Sequence, residues 1–144
     1  MIDTSGAWWV GETADDIDEY LAAWSENDSI DVKQIKCNKC GCDRLYVRMD
    51  QNEDAIQVVC PECKHKKILL DCEEVWEYAK PKAVHCKICK KRTAFHLKAG
   101  FIRRENGSVK WVYIGEMCTE CRTLGSFMDW RISYEPTDEM ENNI

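Results

Sequence analysis

Ten cysteines stand out among the 144 residues, and eight of them fall into four Cys-x-x-Cys pairs. The pairs are Cys37 with Cys40, Cys60 with Cys63, Cys86 with Cys89, and Cys118 with Cys121. Two cysteines three positions apart on a tight turn direct their sulfurs at one point, and two such turns complete a tetrahedral thiolate site for a metal ion. Disulfide frameworks rarely consist only of such tight pairs, so the spacing favours metal binding in a reducing compartment over disulfide bridges.

Consecutive pairs combine into two four-cysteine sites. The two pairs of the first site are separated by 19 residues, and those of the second site by 28. The expected cofactor is two zinc ions, one held by Cys37, Cys40, Cys60 and Cys63 and one by Cys86, Cys89, Cys118 and Cys121. Tetrahedral sulfur ligation alone does not separate zinc from iron, so iron remains an alternative. Because four protein ligands fill each site, no position is left for a reactive water, and no enzymatic activity is expected.

The four pairs resemble the knuckles of the zinc-ribbon superfamily, and the segment Cys60-Pro61-Glu62-Cys63 resembles the second knuckle of ribbons and rubredoxins. The resemblance covers about residues 32 to 134 and implies a four-thiolate metal site without naming a function. Two positions depart from the usual knuckle: Lys64 and Arg122 stand where a glycine is common, whereas Cys40 is followed by Gly41.

An acidic segment precedes the cysteines, because residues 1 to 31 hold nine acidic side chains and no Lys or Arg. Apolar and aromatic side chains recur there at the spacing of one helix face: Ile17, Tyr20, Leu21 and Trp24. Thr13 stands where an N-cap would be wanted. The segment therefore predicts a short acidic amphipathic helix.

Short alternating strands broken at each cysteine pair follow, which predicts a mainly β fold of two tandem zinc-ribbon modules with antiparallel hairpins. The expected divisions are an acidic leader with the helix over 1–31, a first ribbon over 32–80, a second ribbon over 81–134 and an acidic tail over 135–144. The tail holds four acids and no base, so we expect it to be frayed.

The two ribbons look like a repeat. Cys37 maps to Cys86 at a shift of 49, and Cys60 maps to Cys118 at a shift of 58, so the second hairpin is longer. The chain therefore indicates duplicated modules that either extend each other's sheets or pack face to face.

The remaining cysteines and the three histidines complete the inventory of reactive groups. Cys42 and Cys72 are expected to be free thiols in a reducing cell, although Cys42 lies close enough to Cys40 to act as an alternative ligand or reactive thiol. Since the quartets are already complete, we expect His65, His85 and His96 beside the ligands or on the surface.

Net charge is −6, yet the ribbons are basic: residues 86 to 134 carry ten bases against four acids. Six bases are candidate nucleic-acid contacts: Lys87, Lys90, Lys91, Arg92, Arg103 and Arg104. With Phe95, Phe101, Trp111 and Tyr113 interleaved, they could bind a single strand through phosphates and stacked bases. The competing interpretation places the aromatic residues in the core and the bases on a solvated face.

Trp8 and Trp9 lie in the polar, acidic leader and are candidate contacts for a protein partner. We therefore expect a non-enzymatic, zinc-stabilised protein-binding module, such as an adaptor, an inhibitor or an acidic immunity-type protein. The alternatives are a nucleic-acid-binding or transcription-associated ribbon protein, and a rubredoxin-like iron or thiol redox protein. No apolar run is long enough to cross a bilayer, so a cytoplasmic location without membrane contact is expected.

Overall fold

A computed structural model describes residues 1 to 144. Two short 3₁₀ turns (Cys72–Glu74 and Trp76–Tyr78) separate the halves of the chain. The other elements, in chain order, are α1 (Asp16–Ser25), β1 (Asp31–Ile35), β2 (Tyr46–Asp50), β3 (Ala55–Val59), β4 (Lys66–Ile68), β5 (Lys82–Ala83), β6 (Phe95–Arg103), β7 (Val109–Cys118), β8 (Leu124–Arg131) and α2 (Asp138–Glu141). The predicted fold class is confirmed: the protein is mainly β, with two antiparallel four-stranded sheets, an N-terminal helix and two four-cysteine clusters.

Each sheet contains one ribbon and one strand borrowed from the other half. The first sheet has the order β4-β3-β2-β5 and the second the order β1-β6-β7-β8. β1, which leads into the first knuckle of the first ribbon, pairs with β6 of the second ribbon. β5, which leads into the first knuckle of the second ribbon, pairs with β2 of the first. The modules therefore extend each other's sheets, and residues 32 to 35 and 82 to 83 lie in the opposite sheet from the ribbon to which the sequence assigned them.

The two exchanged strands make similar antiparallel pairings. Leu45 and Phe95, which follow the second cysteine of their knuckles by five and six residues, exchange two backbone hydrogen bonds, of 3.0 and 2.8 Å. The borrowed strands keep matching registers, with Lys33 opposite Ala99 and Lys82 opposite Met49. This correspondence supports the inference of a duplicated module.

A single cluster of 23 buried residues runs through both modules. Val47 and Val58 reach it from the first sheet, and Leu97 and Ile114 reach it from the second. Burial of this apolar surface stabilises both sheets at once, because neither has a separate core of comparable size.

Helix α1 packs on the second sheet and lies over β6, β7 and β8. Ile17 and Leu21 are fully buried there. Gly115 makes the close approach possible, since a Cβ at that position would lie 2.8 Å from Ile17 Cγ2. At the edge of this contact the buried Lys98 ammonium is 2.6 Å from Asp18 Oδ1.

The expected N-cap at Thr13 is wrong. The helix begins at Asp16 with Asp15 at the N-cap position and no side-chain cap. Instead, Asp16 Oδ2 accepts hydrogen bonds from the backbone N–H groups of Glu12 (2.7 Å) and Thr13 (3.3 Å). The ionised carboxylate is a strong acceptor for these N–H groups, and it fixes the turn that leads into the helix.

The expected frayed tail is also wrong. Met140 on α2 is buried in the shared core, and Thr137 is buried beside it. The Asn143 amide donates to the backbone oxygens of Ile68 (3.0 Å) and Leu70 (2.8 Å). The acidic composition of the tail gave no sign of this docking, because the docking depends on a few uncharged side chains between the acidic ones.

No helix in the structure is both long and apolar enough to cross a membrane.

Candidate metal centres

Four sulfur atoms converge at each predicted site. In the first centre, Cys37 Sγ lies 3.5 Å from Cys63 Sγ, and Cys40 Sγ lies 3.4 Å from Cys60 Sγ. In the second, Cys86 Sγ lies 3.6 Å from Cys121 Sγ, and Cys89 Sγ lies 3.8 Å from Cys118 Sγ. All four ligand atoms of each quartet fall within 4.8 Å of one another.

These separations fit a shared metal ion. A tetrahedral ion with metal–sulfur bonds of about 2.3 Å places neighbouring sulfurs about 3.8 Å apart, whereas a disulfide needs about 2.05 Å. All ten cysteines are free thiols in the structure. The donor sets can therefore hold two metal ions, and the spacing of the four pairs identified both quartets correctly.

Each knuckle is closed by the same backbone conformation after its second cysteine. The four residues at this position have φ between 59° and 79°: Gly41, Lys64, Lys90 and Arg122. The N–H group of each donates to the carbonyl of the first cysteine of its pair, at 2.8 to 3.0 Å. Lys64 and Arg122 thus adopt the left-handed conformation for which glycine is the usual choice. Their turns keep the same backbone conformation as the turn at Gly41, with backbone strain that a glycine would not have.

Backbone N–H groups also point at the sulfurs. The first cysteine of each pair is approached by the N–H groups two and three residues later: Lys39 and Cys40 for Cys37, Glu62 and Cys63 for Cys60, Ile88 and Cys89 for Cys86, Glu120 and Cys121 for Cys118. Such N–H groups stabilise thiolates and orient them toward the ion.

The thiol pKa values of the first centre diverge. The N–H of Cys63 lowers the pKa of Cys60 to about 6. The N–H of Cys42 also lowers the pKa of Cys40, but the adjacent Cys60 sulfur and partial desolvation outweigh it and raise that pKa to about 12. Four crowded sulfurs cannot all carry negative charge without a counter-charge, so full deprotonation requires a bound cation.

Two threonine hydroxyls support the second centre. Thr93 Oγ1 lies 3.3 Å from Cys118 Sγ, and Thr123 Oγ1 lies 3.1 Å from Cys121 Sγ. Burial alone would raise the pKa of Cys118, but the contact with Thr93 and nearby N–H groups lower it to about 7. The first centre differs in having an exposed ligand, Cys40.

The structure divides the six candidate nucleic-acid contacts into two groups. Lys87, Lys90, Lys91 and Arg92 are exposed around the first knuckle of the second ribbon, and the Arg92 guanidinium lies 5.1 Å from the centre of the Tyr46 ring. Arg103 and Arg104 lie elsewhere and form ion pairs with acidic side chains. Arg103 is 2.7 Å from Asp31 and 2.8 Å from Glu141, and Arg104 is 3.5 Å from Glu135.

The aromatic residues between those bases are mostly internal. Phe95 and Phe101 are buried in the core, and Trp111 is partly buried with its indole N–H donating to Asp129 at 2.9 Å. None of the four aromatic residues interleaved with the bases in the sequence is therefore an exposed ring ready to stack on a base.

Trp8 and Trp9 have different environments. Trp8 is 61% exposed. Trp9 is anchored, because its carbonyl accepts a 2.8 Å hydrogen bond from the Leu124 N–H and its ring meets Tyr20 edge-on at 5.8 Å. Sequence reasoning assigned Trp24 to the buried helix face, yet it is 56% exposed and stacks on Tyr20 at 6.1 Å.

The other reactive groups lie outside the quartets. Cys72 is buried, and desolvation raises its pKa to about 12, while Cys42 Sγ donates to the Arg44 carbonyl at 3.3 Å. His65 and His85 are exposed, and His96 Nδ1 lies 3.1 Å from the Asp43 carbonyl oxygen.

Sequence reasoning missed Glu116, a residue on β7. Burial raises the pKa of its carboxyl to about 8. Its neighbours come from β8 and from distant loops, so no local pattern marks it.

No family model, curated protein or solved structure matches this chain. The two sulfur quartets are therefore the main support for any functional assignment.

Proposed function

We propose that this protein is a non-enzymatic, zinc-stabilised binding module for another protein, of the adaptor, inhibitor or immunity type. Zinc is the proposed ion because it accepts four thiolates in a tetrahedral arrangement without redox chemistry. When bound, it fixes each knuckle and supplies free energy to folding. Since four cysteines complete each set, neither centre offers an open position for substrate.

The observation that carries the binding role is an exposed aromatic surface built by the leader and α1. We call it the tryptophan surface; it comprises Ala7, Trp8, Trp9, Tyr20, Ala23, Trp24 and Leu124. All seven residues are apolar or aromatic, and they line a depression of about 280 Å³. Exposed apolar patches with rigid aromatic anchors are typical of protein interfaces.

A paired capture experiment tests this role. The zinc-loaded chain is used to capture proteins from its native host, and each captured protein is purified and titrated against variants by calorimetry. We expect a Trp8→Ala/Trp24→Ala double variant to lose the partner. Tyr78→Ala is the matched control, because Tyr78 is 66% exposed and lies on a 3₁₀ turn outside this surface. Equal affinity of the double variant would contradict the proposal.

The exposed basic knuckle favours nucleic-acid binding as a second candidate. Its four bases are free of ion pairs with acidic side chains. Binding of single-stranded DNA or RNA that weakens steeply with salt, and that a Lys90→Ala/Lys91→Ala/Arg92→Ala variant abolishes, would support this function. Retention of binding in that variant would reject the assignment to this knuckle.

A further inference from the structure

Two buried side-chain polar atoms in the whole chain lack a hydrogen-bond partner, Glu116 Oε2 and Ser126 Oγ. Both residues line the same cleft. An unpaired buried carboxyl oxygen is costly, so its retention beside a cavity needs a reason.

The cleft has a volume of about 220 Å³ and adjoins the tryptophan surface. Trp8, Tyr20 and Trp24 line it from the leader and α1. Met49 and Ile88 line it from the first sheet and the first knuckle of the second ribbon. The lining is mostly apolar, with a few polar groups among it, as in pockets that bind small organic groups.

Local backbone features hold the Glu116 carboxyl in this position. Gly125 lies directly opposite Glu116 in the β7–β8 ladder, and a Cβ there would overlap Glu116 Oε1. The register then shifts, because Ile114 pairs with Met128 while Gly115 pairs with Ser126. This leaves one extra residue in β8 as a bulge, a feature that re-aims neighbouring side chains.

We propose that this cleft binds an alkylammonium group, with Glu116 accepting its hydrogen bond and the apolar lining holding its carbon chain. A carboxyl oxygen is best satisfied by a cationic donor, and aromatic walls attract a cation as well as apolar carbon. Ser126 Oγ, the other unpaired polar atom of the cleft, offers a further acceptor along its wall. The inference is independent of the proposed function, since the group can come from a partner's lysine or from a free amine.

Lys87 is the internal competitor. It lines the same cleft, yet no ion pair joins its ammonium to Glu116. Its positive charge nevertheless acts on the carboxyl, because it opposes the rise that burial causes in the pKa of Glu116. A Lys87→Met variant should therefore bind an added ammonium more tightly than the unaltered protein does.

The first experiment compares probes on the zinc-loaded chain at constant salt and at a constant pH above 8, where the Glu116 carboxyl is ionised. Phenethylammonium, the neutral isostere 2-phenylethanol and the anion 3-phenylpropionate are titrated while ¹H–¹⁵N spectra follow residues 123 to 127 and the indole N–H groups. We expect saturable shifts with the ammonium and binding weaker by about tenfold or more for the other two. Equal binding of the neutral isostere, or no saturable shift with any probe, would overturn the proposal and leave water as the partner of both polar atoms.

The second experiment assigns the contact. Glu116→Gln should weaken phenethylammonium binding by about tenfold or more, and Glu105→Gln should leave it unchanged because Glu105 is exposed in the distant β6–β7 turn. Metal content is measured for both, since Glu116 is close in sequence to Cys118. If Glu116→Gln fails to fold, Trp8→Ala on the exposed wall replaces it, with weakening of several-fold expected. Unchanged affinity in the folded cleft variants would refute the assignment.

A third comparison identifies the source of the ammonium. A short lysine peptide and its Nε-acetylated form are titrated in the same way. Stronger binding of the lysine peptide than of phenethylammonium indicates a partner's side chain, and the reverse indicates a free amine. Either result supports ammonium binding in the cleft. If neither acetylation of the lysine nor the charge of the probe changes the affinity, the proposal is contradicted. Capture through the tryptophan surface is measured separately, so failure of one proposal does not decide the other.

Discussion

At the residue scale, the chemistry of this protein is concentrated in two sulfur quartets and four turns. The two quartets were predictable from sequence because the spacing of a Cys-x-x-Cys knuckle determines locally where its sulfurs point. The strain in the turns was only partly visible: Lys64 and Arg122 stand where a glycine is common, but neither they nor Lys90 are residue types that favour a positive φ. Glu116 was not predictable, because its burial depends on groups far away in the chain.

Replacement of Gly41 tests the left-handed turn. Gly41 has φ 79°, and nothing lies within 4 Å of a Cβ built there, so Gly41→Ala adds backbone strain without a collision. We expect a loss of about 1 kcal/mol in the free energy of unfolding, measured by urea unfolding at fixed free zinc. Gly6→Ala is the control, because that backbone has no positive φ and its new Cβ would only touch the Trp8 carbonyl oxygen at 3.7 Å. Equal stability of the two variants would argue against strain at this turn.

Replacement of individual cysteines separates ligands from bystanders. Cys60→Ser removes one donor from the first quartet and should reduce bound metal from two ions to one, as counted by native mass spectrometry. Cys72→Ser alters an equally buried thiol outside both quartets and should keep both ions. Loss of metal from Cys72→Ser, or none from Cys60→Ser, would contradict the ligand assignment.

At the element scale, the hairpins and the helix followed from local patterns, but the exchanged strands did not. β5 is only two residues long, and its pairing with β2 spans more than thirty positions. β1 looks like the entry to the first ribbon, and its alternation does not reveal which sheet edge it joins. Pairing of this kind is decided by the whole core and not by the propensity of the segment.

The docking of α1 gives a prediction at this scale. Leu21 is fully buried against Met117 and Leu124, so Leu21→Ala should lower the free energy of unfolding by about 2–4 kcal/mol. Glu19→Ala is an exposed change on the same helix and should alter the free energy by less than about 0.5 kcal/mol. Urea unfolding at fixed free zinc measures both. A small effect of Leu21→Ala would mean that the helix does not depend on this contact.

At the scale of the whole molecule, the modules share one core and one exchanged pair of strands. Two tandem ribbons could have folded separately, and the sequence alone left this open because module contacts are non-local. The structure makes the ribbons interdependent, since residues of both sheets belong to the same buried cluster.

Loss of the second metal ion should therefore weaken the first module. In Cys118→Ser, we expect faster hydrogen exchange at Val47 and Val58, which lie in the first sheet but belong to the shared core. Turn residues 51 to 54 serve as the internal reference, because they are exposed and should exchange fast in both proteins. Unchanged protection at Val47 and Val58 would show that the modules are energetically independent.

The measurement that bears most directly on this account is a metal and thiol count on the native protein. Native mass spectrometry should find two zinc ions per chain, and denaturing analysis of the same sample should find ten free thiols. Removal of zinc by a chelator should unfold the protein, because structural zinc commonly contributes on the order of 10 to 16 kcal/mol. A metal-free native chain, bound iron with visible absorption, or cysteines oxidised to disulfides would contradict the account.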